Sequence, residues 1–181
     1  ACEAGVQIVQ YRNKIGTTKQ MFEEALILCK ICKKNNVLFL VNDRIDIALA
    51  IDADGVHIGT DDMPYPMARK ILGRNKIIGL STHSLNEARV ASFSDVNYIA
   101  FGSVFSTTTK ENAVQNQGIE MLQKITSSVS IPVVAIGGIN LNNVSEVIKA
   151  GASGFCSISS VVTKENVKVE ILKFNNLYQN K

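Results

Sequence analysis

Short apolar runs rich in Val, Ile and Phe recur along this chain roughly every 20 to 25 residues, with stretches of helical apolar spacing between them. That alternation is the sequence form of repeated βα units, and it predicts a parallel sheet. Strands are expected at 6–11, 37–41, 55–58, 77–81, 98–102, 133–136 and 154–158. Several are almost wholly apolar, as strands covered on both faces are. Helices are expected at 18–34, 45–50, 64–72, 85–93, 118–127, 142–150 and 165–178. Ser84 ahead of Glu87 has the form of a capping box, and Gly151 after Ala150 is a helix stop.

Seven strands suit both a barrel and an open doubly wound sheet. No GxGxxG follows the first strand, which weakens the dinucleotide-binding alternative. Polar or small residues stand just after nearly every strand: Arg12, Asn42, Gly59, Ser81, Gly102, Gly137 and Ser159. A barrel collects all its strand C-termini at one mouth, so this distribution favours an α/β fold of the parallel (β/α)8 TIM-barrel type. One domain over residues 1–181 is expected. Residues 1–5 resemble the end of a helix that followed an earlier strand, so the first strand is expected to be missing and the chain to be N-terminally incomplete.

Composition narrows the function. The chain is 46% apolar and 19% charged, and its formal charge of +3 is spread along the sequence rather than gathered into a basic arm. No nucleic-acid partner is expected, while a modest positive balance suits small anionic substrates. Cys29 and Cys32 sit in an apolar helical stripe and read as buried thiols rather than a zinc or redox site. Reduced cysteines, no signal peptide and no long apolar run predict a cytoplasmic protein without a membrane partner. Self-association into a homo-oligomer is left open.

Candidate chemistry lies at the strand ends. Gln-Tyr-Arg-Asn-Lys at 10–14 sets two cations two residues apart, a spacing that puts both on one face of an extended segment, where they can grip a polyphosphate. A solvated charge pair is the plain alternative. Asn42 and Asp43 follow the next strand, where such residues commonly cap a helix. Asp62 stands in the following strand's turn, and carboxylates from adjacent strand ends suit Mg²⁺, a hard cation that takes one or two protein oxygens besides substrate phosphates. The 102–112 loop combines small residues, hydroxyls and Lys110, and Gly137, Gly138, Ser159 and Ser160 form two more anion-friendly turns. His57 alternates with Val56 and Ile58 and reads as a hydrogen-bonded barrel histidine, whereas His83 reads equally as near substrate or as a helix cap.

These residues, with Asp-Gly-Val-His-Ile-Gly, Gly-Leu-Ser-Thr-His-Ser, Thr-Thr-Thr-Lys, Ala-Ile-Gly-Gly-Ile and Ile-Ser-Ser, resemble the thiamine-phosphate synthase family over essentially the whole chain. The resemblance implies an eight-stranded barrel that joins 4-amino-5-hydroxymethyl-2-methylpyrimidine diphosphate to 4-methyl-5-(2-phosphoethyl)thiazole, or its carboxylated form, and releases pyrophosphate. It implies that Gln10, Arg12, Lys14, Asn42, Ser81 and Lys110 contact the pyrimidine diphosphate, with Arg12, Lys14, Ser81 and Lys110 catalytic. Asp43 and Asp62 are then expected to hold Mg²⁺, and Thr107, Thr109, Gly138, Ile158 and Ser159 the thiazole phosphate. The implied mechanism is dissociative, with no side-chain nucleophile. Three positions depart from the family pattern: Thr60 for Gln, Asn13 for an acidic residue and Ser106 for Pro. The alternatives are a thiazole tautomerase of the same barrel, which characteristically lacks parts of the metal and diphosphate set, and a non-catalytic phosphate-binding barrel.

Overall fold

The computed structural model describes residues 1–107 and 117–179. Seven strands lie side by side in chain order, every neighbouring pair parallel: β1 (Ile8–Tyr11), β2 (Leu38–Asn42), β3 (Gly55–Ile58), β4 (Ile77–Thr82), β5 (Tyr98–Phe101), β6 (Val133–Ile136) and β7 (Gly154–Cys156). The intervening helices are α1 (Thr18–Lys34), α2 (Ile45–Ala50), α3 (Tyr65–Leu72), α4 (Leu85–Ser92), α5 (Ile119–Thr126) and α6 (Val144–Lys149), and α7 (Val167–Gln179) follows β7. This is the expected α/β, TIM-type arrangement, a curled parallel sheet whose edges are β1 and β7.

Two strands and two helices keep their expected bounds, and the other elements shift by up to two residues. Asn140 and Asn143 hold the chain ahead of α6 in side-chain turns, so that helix begins at Val144 rather than 142. The β7 strand stops at Cys156 because Ser157 turns its hydroxyl onto the Ile139 carbonyl, 3.0 Å away. Residues 2–4 form a single 3₁₀ turn closed by Gly5 at φ +84°.

Capping also differs in detail. Ser84 accepts from the Glu87 N–H as expected, but the Glu87 carboxylate reaches back to the His83 N–H rather than to Ser84's own. The full reciprocal box occurs instead at α1, between Thr17 and Gln20.

Strand alternation sorts the side chains into two layers. Phe39, Val41, Val56, Ile58 and Ile78 pack outward against Met21, Ala25, Cys29, Ala68 and Leu72 of α1 and α3. On the second half of the sheet Ile99, Phe101, Val133 and Ala135 pack against Leu122, Ile125, Val144 and Val147. Phe39, Phe101 and Ile58 are wholly buried, each stabilising the fold by about 1.5–3 kcal/mol. The other strand parity faces the interior of the curl, and its rungs are set by register: Asn42 beside His57, His57 beside Gly79, Gly79 beside Tyr98.

Cys29 and Cys32 are buried as expected, and the Cys2 sulfur lies 3.9 Å from that of Cys32. Burial, with Cys2 alongside, pushes the Cys32 thiol up to about 12. No helix among the described residues is long and apolar enough to cross a membrane.

Candidate active site

Parallel strands joined through helices put all seven strand C-termini at one end of the sheet, and the expected site residues that lie among the described ones gather there. Gln10 is the last inward position of β1, and Arg12 and Lys14 follow in the β1–α1 loop, both exposed. Asn13 shapes that loop, its side-chain oxygen accepting from the Ile15 and Gly16 N–H groups at 3.1 and 2.9 Å. Its amide donates to Glu24 at 3.2 Å, and Tyr11 donates to the same carboxylate at 2.6 Å. The turn directs Lys14 away from the strand line and into an ion pair with Asp43.

Neither Asn42 nor Asp43 caps α2, whose N-terminus has no side-chain cap. The Asp43 backbone is in the left-handed region at φ +62°, held there by its N–H donating to the His57 carbonyl at 2.9 Å. Asp and Asn bear that conformation better than most residues, and such strain is concentrated at functional sites. The twist turns the carboxyl towards that of Asp62. Asp62 is anchored by accepting from the Gly59 N–H at 2.7 Å. Burial and the neighbouring Asp62 carboxyl raise the Asp43 pKa, and Lys14 only partly offsets them. Two carboxyls pressed together beside one lysine form a donor set that a divalent cation would stabilise. No group of three His, Cys, Asp or Glu side chains forms a closed metal cage among the described residues.

Deeper in the curl, His57 spans two partners: its Nε2 lies 2.9 Å from Ser81 Oγ and its Nδ1 2.9 Å from Tyr98 Oη. The hydrogen-bonded barrel histidine expected from the sequence is therefore present, and its partner Tyr98 is not among the candidate residues that the sequence offers. The alternation of Tyr98 with Ala100 on an apolar strand was the available signal. His83 Nδ1 lies 2.9 Å from the Gly102 carbonyl.

On the opposite side of the mouth the β6–α6 turn passes through Gly137 at φ +100° and Gly138 at φ +64°. A side chain at Gly138 would come within 2.5 Å of the Ser106 carbonyl oxygen, so only glycine lets the two loops meet. Ile158 and Ser159 open the turn after β7, both exposed, and Thr107 ends the described part of the β5–α5 loop. Thr109 and Lys110 lie outside the described residues.

The TMP-TENI family, described as thiamine monophosphate synthase, matches residues 1–161. The chain is 45% identical over 180 residues to the thiamine-phosphate synthase of Persephonella marina, covering 99% of this chain and 86% of that one. It is 49% identical over 172 residues to the thiamine-phosphate synthase of Methanosarcina mazei, covering 95% and 71%. Among solved structures it resembles thiamine phosphate pyrophosphorylase from Pyrococcus furiosus, with a TM-score of 0.91 and 41% identity over 99% of this chain and 86% of that one. The chain belongs to the thiamine monophosphate synthase family.

Family membership bears out the expected class of enzyme, a transferase of the thiamine-phosphate synthase type. Asn13, one of the departures expected from the family pattern, supplies an oxygen for the turn and a donor for Glu24. Thr60 is exposed just past Gly59, and Ser106 contributes the carbonyl that Gly138 approaches.

Proposed function

We propose that the mouth of this sheet couples the pyrimidine diphosphate to the thiazole phosphate, or its carboxylated form, releasing thiamine phosphate and pyrophosphate. The observation that carries the reading is the facing pair Asp43 and Asp62 with Lys14 beside them and Ser81 at the next inward position. A closed protein cage would compete with a phosphate-bearing ligand, whereas two carboxylates leave coordination positions for diphosphate oxygens. In this reading Asp43 and Asp62 hold Mg²⁺, which when bound neutralises charge growing on the leaving pyrophosphate.

Gln10, Asn42 and Ser81 orient the pyrimidine diphosphate from the inner face, and Arg12, Lys14 and Lys110 attract and stabilise its phosphates. Thr107, Thr109, Gly138, Ile158 and Ser159 receive the thiazole phosphate at the other side of the mouth, Gly138 by close backbone approach. The substitution is dissociative: pyrophosphate departs with the bonding electrons, and the thiazole nitrogen captures the pyrimidine methylene cation. No side-chain nucleophile is needed, and the apolar wall of the curl limits access of water to the cation. The chain works on small molecules as one barrel domain in the cytosol.

The test is mass-spectrometric detection of thiamine phosphate after mixing the protein, both substrates and Mg²⁺, with a chelated control. Product that depends on Mg²⁺ is expected. Folded protein that forms no product would overturn the reading and favour the tautomerase or a binding-only barrel.

A further inference from the structure

Three interior side chains from three strands form one hydrogen-bonded line across the inner face of the sheet. Tyr98 starts β5, His57 lies in β3, and Ser81 is near the mouth end of β4. The strand between Tyr98 and His57 contributes Gly79, level with both in register. A side chain on Gly79 would come within 2.1 Å of the Tyr98 ring. The missing side chain is what lets that ring cross β4 and bring its hydroxyl to 2.9 Å from His57 Nδ1. His57 is 8% exposed, and its other ring nitrogen meets Ser81 Oγ at 2.9 Å.

The direction of these hydrogen bonds decides what Ser81 offers a ligand. Burial pushes the Tyr98 phenol well above its ordinary range, so it keeps its proton and can donate. A phenol donating to Nδ1 selects the imidazole tautomer with hydrogen on Nε2, and that hydrogen then occupies a lone pair of Ser81 Oγ. In the arrangement where Tyr98 donates, the serine's own hydrogen is free to point into the mouth, where an anionic or electron-rich ligand atom needs a donor.

We propose that His57, set by Tyr98 across Gly79, is a positioning residue that turns the Ser81 hydroxyl into a donor towards the substrate. This rests on the proposed role of Ser81 in binding the pyrimidine diphosphate. Tyr98 and Gly79 act at one remove: the ring fixes the imidazole, and the glycine makes room for the ring.

The test is a kinetic double-mutant cycle with His57→Asn, Ser81→Ala and the combined variant, using the complete protein with both substrates and Mg²⁺. His57→Asn is expected to lower kcat about tenfold, and the combined variant to match Ser81→Ala within about twofold, because His57 acts only through the serine. Multiplicative losses, or a His57→Asn enzyme with unchanged kcat, would overturn the proposal. Normal turnover in Ser81→Ala would instead remove the role of Ser81 on which it rests. Tyr98→Phe keeps the ring and deletes only the far hydroxyl; a smaller loss in kcat that disappears in the Ser81→Ala background is expected. An equal Tyr98→Phe loss in both backgrounds would count against the relay, whatever the folding of the histidine variant.

Discussion

The two ends of the sheet treat charge in opposite ways. At the end where strands begin, ionised groups meet partners that satisfy them. Asp52 is bridged by Lys76 and Lys33 at 2.5 and 2.9 Å, which lowers its pKa to about 2. Arg69 donates to the carbonyls of Asp95, Gly73 and Lys76 and to the Asn97 side chain at 2.6–3.0 Å. Asp54 accepts from the Phe39 N–H at 2.7 Å. At the end where strands finish, Asp43 is strained, partly buried and set against another carboxyl, so its pKa rises instead. One end holds the helices to the sheet, while the other leaves charge incompletely balanced where a ligand can complete it.

The largest expected effect tests the mouth. Asn tolerates the left-handed backbone at position 43, so Asp43→Asn should fold as well as the parent and melt no lower, since it removes half of a like-charged pair. Turnover should fall by on the order of 100-fold. A variant with normal turnover would detach the mouth from the chemistry, and one that melts much lower would make Asp43 structural.

Arg69→Ala should reverse that pattern. Losing the guanidinium leaves three carbonyls without that donor and the Asn97 amide oxygen with the Ile78 N–H alone, and should cost about 2–4 kcal/mol in denaturant unfolding. Turnover well below the melting temperature should be unchanged; a specific fall in kcat would mean that the two ends are coupled.

Asp52→Asn should give the smallest change, because the side chain is exposed. Its carboxyl is depressed in the folded state, so the folded protein binds fewer protons than the unfolded one. Its contribution is therefore present above the ordinary carboxylate range and lost as pH falls towards about 2. Melting curves of parent and variant should converge between about pH 4 and pH 2. Asp43 carries the opposite sign, since a raised pKa favours folding at low pH and that contribution fades as pH rises. Curves that diverge on acidification would contradict the assignment for Asp52.

Apolar periodicity was enough to place the βα units because both layers of the sheet are buried, and burial leaves a direct trace in composition. The expected helix at 18–34 and strand at 55–58 match their observed bounds, and residues at strand ends do reach one mouth. Asp43 and Asp62 were recognisable as a pair because register in a parallel sheet brings successive strand ends together. What held Asp43 in place was not legible: its φ of +62° depends on a hydrogen bond to the His57 carbonyl, made by a strand separated from it in sequence. The redirected Glu87 bond and the Cys2–Cys32 contact were hidden for the same reason.

The sequence by itself therefore determined the repeating architecture, the family and the set of polar residues at the strand ends, since each is written in local pattern and spacing. Only the tertiary structure decided which of those groups touch. Lys14 meets Asp43 because a turn at Asn13 bends it there, and Tyr98 meets His57 because Gly79 leaves the space between them empty. Contacts of that kind depend on directions across strands, which no single segment of the chain encodes.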